Sequence, residues 1–163
     1  MKKMFKTLAT VMCAVLTFGL TSCCDDYEDD IIGTWNSQSL IYEFTVSGHS
    51  NPDYNESYID TTDMSSGYDL LTMVFKDNGK VTSSAYDEDE DGNMFLRTET
   101  ADYSVEDDYL LIKSYGYTEK IKIDKLDDKN LWLTQTDSYQ EEWYDGEIVK
   151  IKERMTFKFK KVK

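Results

Sequence analysis

Histidine and basic side chains are scarce in this sequence, and their scarcity excludes several classes of function. His49 is the only histidine among 163 residues, so a multi-histidine zinc site lacks ligands and a Ser-His-Asp triad would depend on one residue in a polar segment. Lysine and arginine number 18 against 32 aspartates and glutamates, which gives a formal net charge of -14. A surface of that sign repels phosphate backbones, so we expect no binding to nucleic acid.

The abundant carboxylates do not by themselves indicate an enzyme. Two carboxylates can hydrolyse a glycosidic bond, but among 32 acidic residues any particular pair is uninformative. We therefore expect a protein that is not an enzyme, and a two-carboxylate glycosidase is the open alternative.

Long apolar runs are missing apart from one near the start of the sequence. Thr7 to Leu20 is uncharged and mostly apolar, and it follows Lys2, Lys3 and Lys6. A run of this length is too short to span a bilayer as a helix and is typical of signal peptides. We predict that residues 1–22 are a signal peptide.

Cysteine is also rare, and one cysteine marks the end of this signal. Cys23 ends the stretch Leu-Thr-Ser-Cys that begins at Leu20. This spacing resembles the processing box of bacterial lipoproteins, which implies that the Cys23 thiol receives a diacylglycerol and becomes the new N-terminus. The alternative is a soluble secreted protein in which Cys23 stands by chance. With Cys13 removed and Cys23 lipidated, Cys24 has no disulfide partner in the mature chain.

The segment after the lipidated cysteine is strongly acidic. Five carboxylates occupy the six positions from Asp25 to Asp30, so residues 23–30 are predicted to be a solvated, lipidated tether. The run resembles the export signals of Gram-negative lipoproteins that are displayed on the outer face of the outer membrane, and a plain hydrophilic linker is the alternative. We expect a protein anchored in the outer membrane through its N-terminal lipid.

From residue 31 onwards the pattern is that of strands joined by turns. No stretch keeps apolar residues at helical spacing over ten or more positions, whereas period-two alternation is clear at 71–75 and 118–126. About eight short strands indicate a sandwich or an up-and-down barrel, and a barrel also removes exposed edges. We predict one all-β domain, residues 31–163, folded as a single eight-stranded antiparallel barrel. The residues predicted to face inward are Leu71, Met73, Phe75, Val81, Ile121, Ile123, Leu131, Leu133, Phe157 and Phe159.

Two turns in this pattern predict the register of their hairpins. A three-residue loop with Gly79 in the left-handed conformation would pair Phe75 with Val81 and keep both on the apolar face, which we favour over a two-residue turn. At Asp145-Gly146 a bulge or an odd-length loop is needed to keep the apolar residues of both strands on one face.

An ordered set of short motifs resembles a bacterial lipocalin-like domain. The motifs in chain order are residues 33–35 (GTW), 75–81 (FKDNGKV), 103–105 (YSV), 109–112 (YLLI), 121–123 (IKI), 131–133 (LWL) and 156–159 (TFKF). The resemblance covers about residues 31–162 and implies a calycin barrel. It also implies that Gly33 and Trp35 close one end of the barrel, with Trp35 beneath a basic residue of the last strand. That strand offers Arg154 near its start and three lysines near its end.

The resemblance further implies that the protein binds a small apolar or amphipathic ligand. Residues 47–67 are polar, include the only proline, and are predicted to be a long loop over the mouth of the barrel. The residues predicted to contact the ligand are Tyr54, Tyr58, Met73, Phe75 and Phe157. The alternative is an accessory lipoprotein whose barrel is filled by its own side chains and whose loops bind a protein or a glycan. A cavity of roughly 300 Å³ or more would favour the first function, and a packed interior the second.

One acidic segment, residues 87–92, matches the first half of a calcium-loop pattern, D-x-D-x-D-G. Asp87, Asp89 and Asp91 would be its ligands. The twelfth position of the pattern is Thr98 instead of a glutamate, and the flanking segments have the pattern of strands instead of helices. We therefore expect a solvated hairpin tip and no cofactor, with a weak calcium site as the alternative.

Overall fold

The computed structural model describes residues 27–143 and 145–163, and this part of the chain is all-β apart from one short helix and two 3-10 turns. The helix α1 spans Tyr27–Ile31, and the 3-10 turns are Pro52–Tyr54 and Gly67–Asp69. The strands are β1 (Gly33–Ser47), β2 (Ser57–Asp63), β3 (Thr72–Phe75), β4 (Lys80–Glu88), β5 (Met94–Glu106), β6 (Tyr109–Ser114), β7 (Tyr117–Leu126), β8 (Asn130–Glu142) and β9 (Ile148–Lys161). The predicted signal peptide (1–22), Cys23 and the first part of the tether lie outside the described residues.

Eight of the strands close into an antiparallel up-and-down barrel. Strands β3 to β9 follow one another as a meander, and β1 pairs with β3 on one side and with β9 on the other, which completes the ring. The ninth strand, β2, pairs with β1 beyond the point where β3 ends. This topology confirms the predicted eight-stranded barrel and adds one strand to it.

The registers of the two predicted hairpins are confirmed. Phe75 pairs with Val81, and Gly79 has a φ of 72°, the left-handed conformation that a three-residue loop requires. Strands β8 and β9 are joined by the odd-length loop 143–147, so the leucines of β8 pair with the phenylalanines of β9.

The prediction of one long loop over residues 47–67 is wrong in its middle part, where β2 forms. All seven residues of β2 are exposed, so no alternation of buried and exposed positions marks the strand in the sequence. The strand forms because β1 has 15 residues and β3 only 4, which leaves the far part of β1 with an unpaired edge.

The barrel is closed only at its lower end, which we define as the end that carries α1 and the β3–β4, β5–β6 and β7–β8 turns. Strand β7 pairs with β8 only through residues 122–126, and β5 pairs with β6 only through residues 102–106. Above these points the sheet divides into a four-stranded part (β2, β1, β9 and β8) and two separate hairpins (β4–β5 and β6–β7). The upper end therefore flares and opens to solvent.

The lower half of the barrel is filled by its own side chains. The buried residues of this core are Ile31, Trp35, Met73, Phe75, Val81, Leu110, Ile123, Leu131, Leu133 and Phe159. Leu71, Ile121 and Phe157 are partly buried and pack against it. All ten residues predicted to face inward thus belong to the core or contact it, as expected when strand parity decides which side chains leave water.

Helix α1 shortens the predicted tether. Ile31 is fully buried, and the carbonyl oxygens of Asp30 and Ile31 accept hydrogen bonds from Lys161 Nζ at 3.0 Å and from Trp35 Nε1 at 2.7 Å. The carboxylates of Asp29 and Asp30 stay exposed, so the segment packs through its backbone and through Ile31. The folded domain therefore includes Tyr27–Ile31, part of which was predicted to be solvated. No helix among the described residues is long and apolar enough to cross a membrane.

Candidate ligand-binding site

Three of the residues predicted to contact a ligand lie in the lower core. Met73 and Phe75 are 7% and 1% exposed, and Phe157 packs against the same cluster. The Phe157 ring stacks against Phe159, with ring centroids 6.3 Å apart. A ligand that enters from the flared upper end would meet other side chains before these three.

Tyr58 belongs to an aromatic cluster on the inner face of β1 and β2. Its ring centroid lies 5.2 Å from that of Phe44 and 5.9 Å from that of Tyr42. The Tyr42 hydroxyl donates a hydrogen bond to Glu153 Oε1 at 3.1 Å, and burial together with this carboxylate raises the pKa of Tyr42 to about 12. Tyr58 is half exposed, so the cluster presents an aromatic surface inside the flared end.

His49 lies in the loop between β1 and β2, at the upper end, and only 7% of it is exposed. Its Nε2 is 2.8 Å from Asp145 Oδ2, and its Nδ1 accepts the backbone N–H of Asn51 at 3.0 Å. Because Nδ1 is an acceptor, the neutral ring carries its hydrogen on Nε2 and donates it to Asp145. The Asn55 side chain bonds to both the N–H and the carbonyl of His49. The ring thus joins the β1–β2 loop to the β8–β9 loop.

A second connection between these loops joins Ser50 to Glu147. The Glu147 carboxylate accepts the backbone N–H of Ser50 at 2.6 Å and also its hydroxyl. These bonds hold the pKa of Glu147 below its usual range, and the N–H of Glu147 together with the His49 ring does the same for the pKa of Asp145. We call these four residues, His49, Ser50, Asp145 and Glu147, the His49 clamp.

Tyr54 and Trp143 form aromatic walls beside the clamp. Their ring centroids are 5.9 Å apart with the rings at 76°, and the Tyr54 ring lies 4.7 Å from that of His49. They border an upper pocket of about 540 Å³, lined by Tyr54, Glu141, Glu142, Trp143 and Asp145. A volume of this size lies within the range of small-molecule sites.

A small apolar cluster lies next to the upper pocket and connects it to the aromatic cluster. Val46, Val149 and Ile151 are buried together, and Phe44 and Trp143 pack against them. Since Phe44 also contacts Tyr58, apolar packing contacts connect Trp143, at the upper pocket, to the inner face of β2.

The upper pocket was only partly foreseen from the sequence. Tyr54, which was predicted to contact a ligand, lines it, and Tyr58 lies in the neighbouring aromatic cluster. Contact of either residue with a ligand stays a prediction. Glu141, Glu142, Trp143 and Asp145 were not predicted, because the segment 141–147 was treated only as a hairpin. A usable signal exists in the sequence, since the only histidine stands in one polar loop and a tryptophan among four carboxylates stands in the other.

The clamp also contains the ligand types of a metal site. One ligand atom each of His49, Asp145 and Glu147 lies within 4.8 Å of the others. Nε2, however, is at hydrogen-bond distance from Asp145, and Nδ1 accepts a backbone N–H, so both ring nitrogens already have partners. We therefore interpret the group as a structural clamp.

The acidic segment 87–92 forms the tip of the β4–β5 hairpin. Asp87 pairs with Arg97 at 3.1 Å. Asp89 Oδ1 accepts the backbone N–H groups of Asp91 and Asn93, and the bonds from Asn93 are the main cause of the lowered pKa of Asp89. Two of the three proposed calcium ligands thus have partners within the hairpin. The solvated hairpin tip stays the prediction, and the weak calcium site stays its untested alternative.

A second cleft, of about 420 Å³, lies on the outer wall between β7 and the β8–β9 pair. It is lined by Tyr109, Lys120, Lys122, Asp124, Thr134, Thr136, Lys152 and Arg154. Arg154 pairs with Asp124 at 3.0 Å and with Glu43 at 3.4 Å, and Lys122 lies 3.5 Å from Asp124. Much of its positive charge is therefore balanced within the wall, which makes it a weaker candidate than the upper pocket.

No protein-family model and no curated protein matches the chain. Among solved structures, the crystal structure of lobster apocrustacyanin A1 is similar to it, with 15% sequence identity and a TM-score of 0.44. The match covers 85% of this chain and 64% of that chain. So distant a likeness carries no inference about a ligand, and the barrel is established by its own strand pairing.

Proposed function

We propose that this protein is a lipid-anchored, non-enzymatic binding protein of the outer membrane that binds a small amphipathic ligand at the upper end of its barrel. The observation that carries the proposal is the upper pocket, which has a volume of about 540 Å³ and two aromatic walls. Concave sites with aromatic walls and a few convergent polar groups are the usual form of small-molecule sites. The His49 clamp supports the proposal because it holds both loops of the pocket in place.

We propose the mouth of the barrel as the position of the ligand because the lower half of the barrel is filled by core side chains. The polar part of an amphipathic ligand would lie in the upper pocket, near Glu141 and Glu142. Its apolar part would follow the surface formed by Phe44, Tyr42 and Tyr58.

Membrane attachment is proposed through Cys23 and rests on the charged start, the apolar run and the Leu20 to Cys23 spacing. Two acyl chains are sufficient for stable anchoring, whereas one is marginal. The acidic run that follows Cys23 supports display on the outer face of the membrane.

A second function, binding of a protein or a glycan through the loops, is favoured by a different observation. Tyr115 and Tyr117, at the tip of the β6–β7 hairpin, are 88% and 82% exposed. Tyrosines are common in the centres of protein interfaces, so this tip is the surface that such a partner would contact.

Native mass spectrometry of protein purified gently from its own host tests the first function. We expect a co-purifying small molecule, and we expect Trp143→Ala to lower its affinity about tenfold because an aromatic wall is lost. Tyr117→Ala is the matched control and should retain the ligand. A wild-type protein without ligand, combined with a macromolecular partner that Tyr117→Ala no longer captures, would instead establish the second function.

A further inference from the structure

The upper pocket has a negative charge that the described residues leave unbalanced. Glu141 and Glu142 line the pocket, and neither forms an ion pair within the described part of the chain. Asp145 adds a third carboxylate, and its lowered pKa keeps it ionised at neutral pH. Its Oδ2 is bonded to His49, so Glu141 and Glu142 are the carboxylates left for a ligand.

The aromatic walls of the pocket indicate which kind of positive charge fits. The Tyr54 and Trp143 rings stand at 76° to each other in an edge-to-face contact that occupies one ring face. Tyr54 is half exposed, so electron-rich ring surface stays open beside the pocket. An ammonium group is attracted to such faces, and the attraction is strongest for tryptophan. A hard metal cation prefers a shell of oxygen ligands and gains little from aromatic rings.

We propose that the ligand of the upper pocket carries an organic ammonium group. This inference rests on the proposed function, because it names the chemical class of the ligand for the same pocket. The ammonium lies against Tyr54 and Trp143, and Glu141 and Glu142 balance its charge. The apolar remainder of the ligand extends toward Phe44 and Tyr58.

A pair of probes with the same shape and different charge tests the inference. Choline and its neutral isostere 3,3-dimethylbutan-1-ol differ in that a carbon atom replaces the charged nitrogen. Titration calorimetry on the full mature protein should show that choline binds at least about tenfold more tightly. The difference should shrink as salt is raised, because salt screens partly exposed charges.

Variants of the pocket assign the effect to its residues. The double change Glu141→Gln and Glu142→Gln should weaken choline binding about fivefold or more and leave binding of the neutral isostere unchanged. Asp128→Asn is the matched control, since it removes one carboxylate from an exposed turn at the lower end. It should leave both affinities unchanged.

The outcomes separate this inference from the proposed function. Equal affinities for the two probes would overturn the ammonium class and leave a small-molecule pocket in place. Failure of both probes to bind, while native mass spectrometry still detects a ligand, would overturn the ammonium class alone. Failure of both probes together with an empty wild-type protein would overturn both proposals. Saturable binding of a neutral disaccharide without salt dependence would assign the pocket to a glycan.

Discussion

The position of the Trp35 side chain, at the lower end of the barrel, is fixed by its contacts with neighbouring residues. Its Nε1 donates to the Ile31 carbonyl at 2.7 Å, and Lys161 Nζ lies 5.0 Å from the centre of its ring. Gly33 makes this arrangement possible, because its φ of 134° is unfavourable for other residues and a Cβ would come within 2.7 Å of Lys161 Cε. The lower end is therefore closed by contacts among the helix, the first strand and the last strand.

At this scale we predict that Lys161→Met lowers the free energy of unfolding by about 1 kcal/mol. The apolar stem is kept, but the cation over Trp35 and its hydrogen bond to the Asp30 carbonyl are lost. Urea denaturation monitored by tryptophan fluorescence measures the change. Lys160→Met is the matched control, since this neighbouring side chain is exposed. Equal loss in both variants would show that the contacts of the Lys161 ammonium group with Trp35 and Asp30 do not stabilise the fold.

The resemblance to lipocalin-like domains implied a cation over Trp35 but not which one. Trp35 pairs with Lys161, and the register of β1 against β9 shifts at a bulge between Ser37 and Ser39. The bulge sets Trp35 directly opposite Lys161, and nothing in the local sequence marks it. Strand parity, however, puts Lys161 on the same face as Phe157 and Phe159. It leaves Lys158 and Lys160 on the other face, so parity could have selected Lys161.

At the scale of elements, the His49 clamp joins two hairpins that are distant in the chain. His49 and Ser50 follow β1, whereas Asp145 and Glu147 lie between β8 and β9. The buried ring and the paired carboxylates hold the two loops together above the four-stranded part of the sheet. Loops without such connections lose and regain structure more readily than the strands beneath them.

We predict that the clamp loosens as the pH falls below about 4. The pKa values of Asp145 and Glu147 are lowered in the folded state, so their ionised forms stabilise the clamp above the ordinary carboxylate pKa of about 4. This stabilisation is lost as the pH falls through the lowered values. The indole NMR signal of Trp143 should shift as the pH falls below about 4, while the signal of Trp35 at the lower end stays in place.

Glu147→Gln is the test variant for this prediction, because it keeps the shape of the side chain and removes its titration. The variant should show a looser loop at neutral pH and a smaller change of the Trp143 signal on acidification. A pH profile identical to that of the wild type would mean that Glu147 does not hold the loops together.

Hairpin registers could be read from the sequence, whereas the extra strand could not. Gly79 and the pairing of Phe75 with Val81 follow from turn geometry and the apolar face, both of which are local. Strand β2 has no buried face and exists only because β1 is longer than β3. The pocket residues after β8 were missed for a related reason, since loops approach each other through tertiary structure.

At the scale of the whole molecule, the two ends of the barrel differ in role. The closed lower end contains the core that stabilises the fold, and the flared upper end contains the pocket proposed to bind a ligand. Strand parity identified the side chains that fill the lower half, because every second side chain of a strand there points into the barrel and is buried. Parity does not reveal how far two neighbouring strands stay paired, and this extent decides where the barrel opens. Met73 and Phe75 are buried in this core and Phe157 packs against it, so the depth of the opening, which parity does not reveal, decides whether a ligand reaches them.

The last prediction concerns the attachment of the whole molecule to its membrane through Cys23. We expect metabolic labelling with a radioactive fatty acid to mark the wild-type protein, and intact-mass analysis to show a mature chain that begins at a diacylated Cys23. Cys23→Ala should abolish the label and the outer-membrane location, because the attached acyl chains supply the anchoring free energy, about 0.8 kcal/mol for each buried methylene. Cys24→Ala is the matched control, since it removes the adjacent thiol and leaves the Leu20 to Cys23 spacing intact. It should be labelled and located like the wild type. Loss of the label in Cys24→Ala with retention in Cys23→Ala, or a mature chain with an unmodified N-terminus, would contradict the proposed anchor.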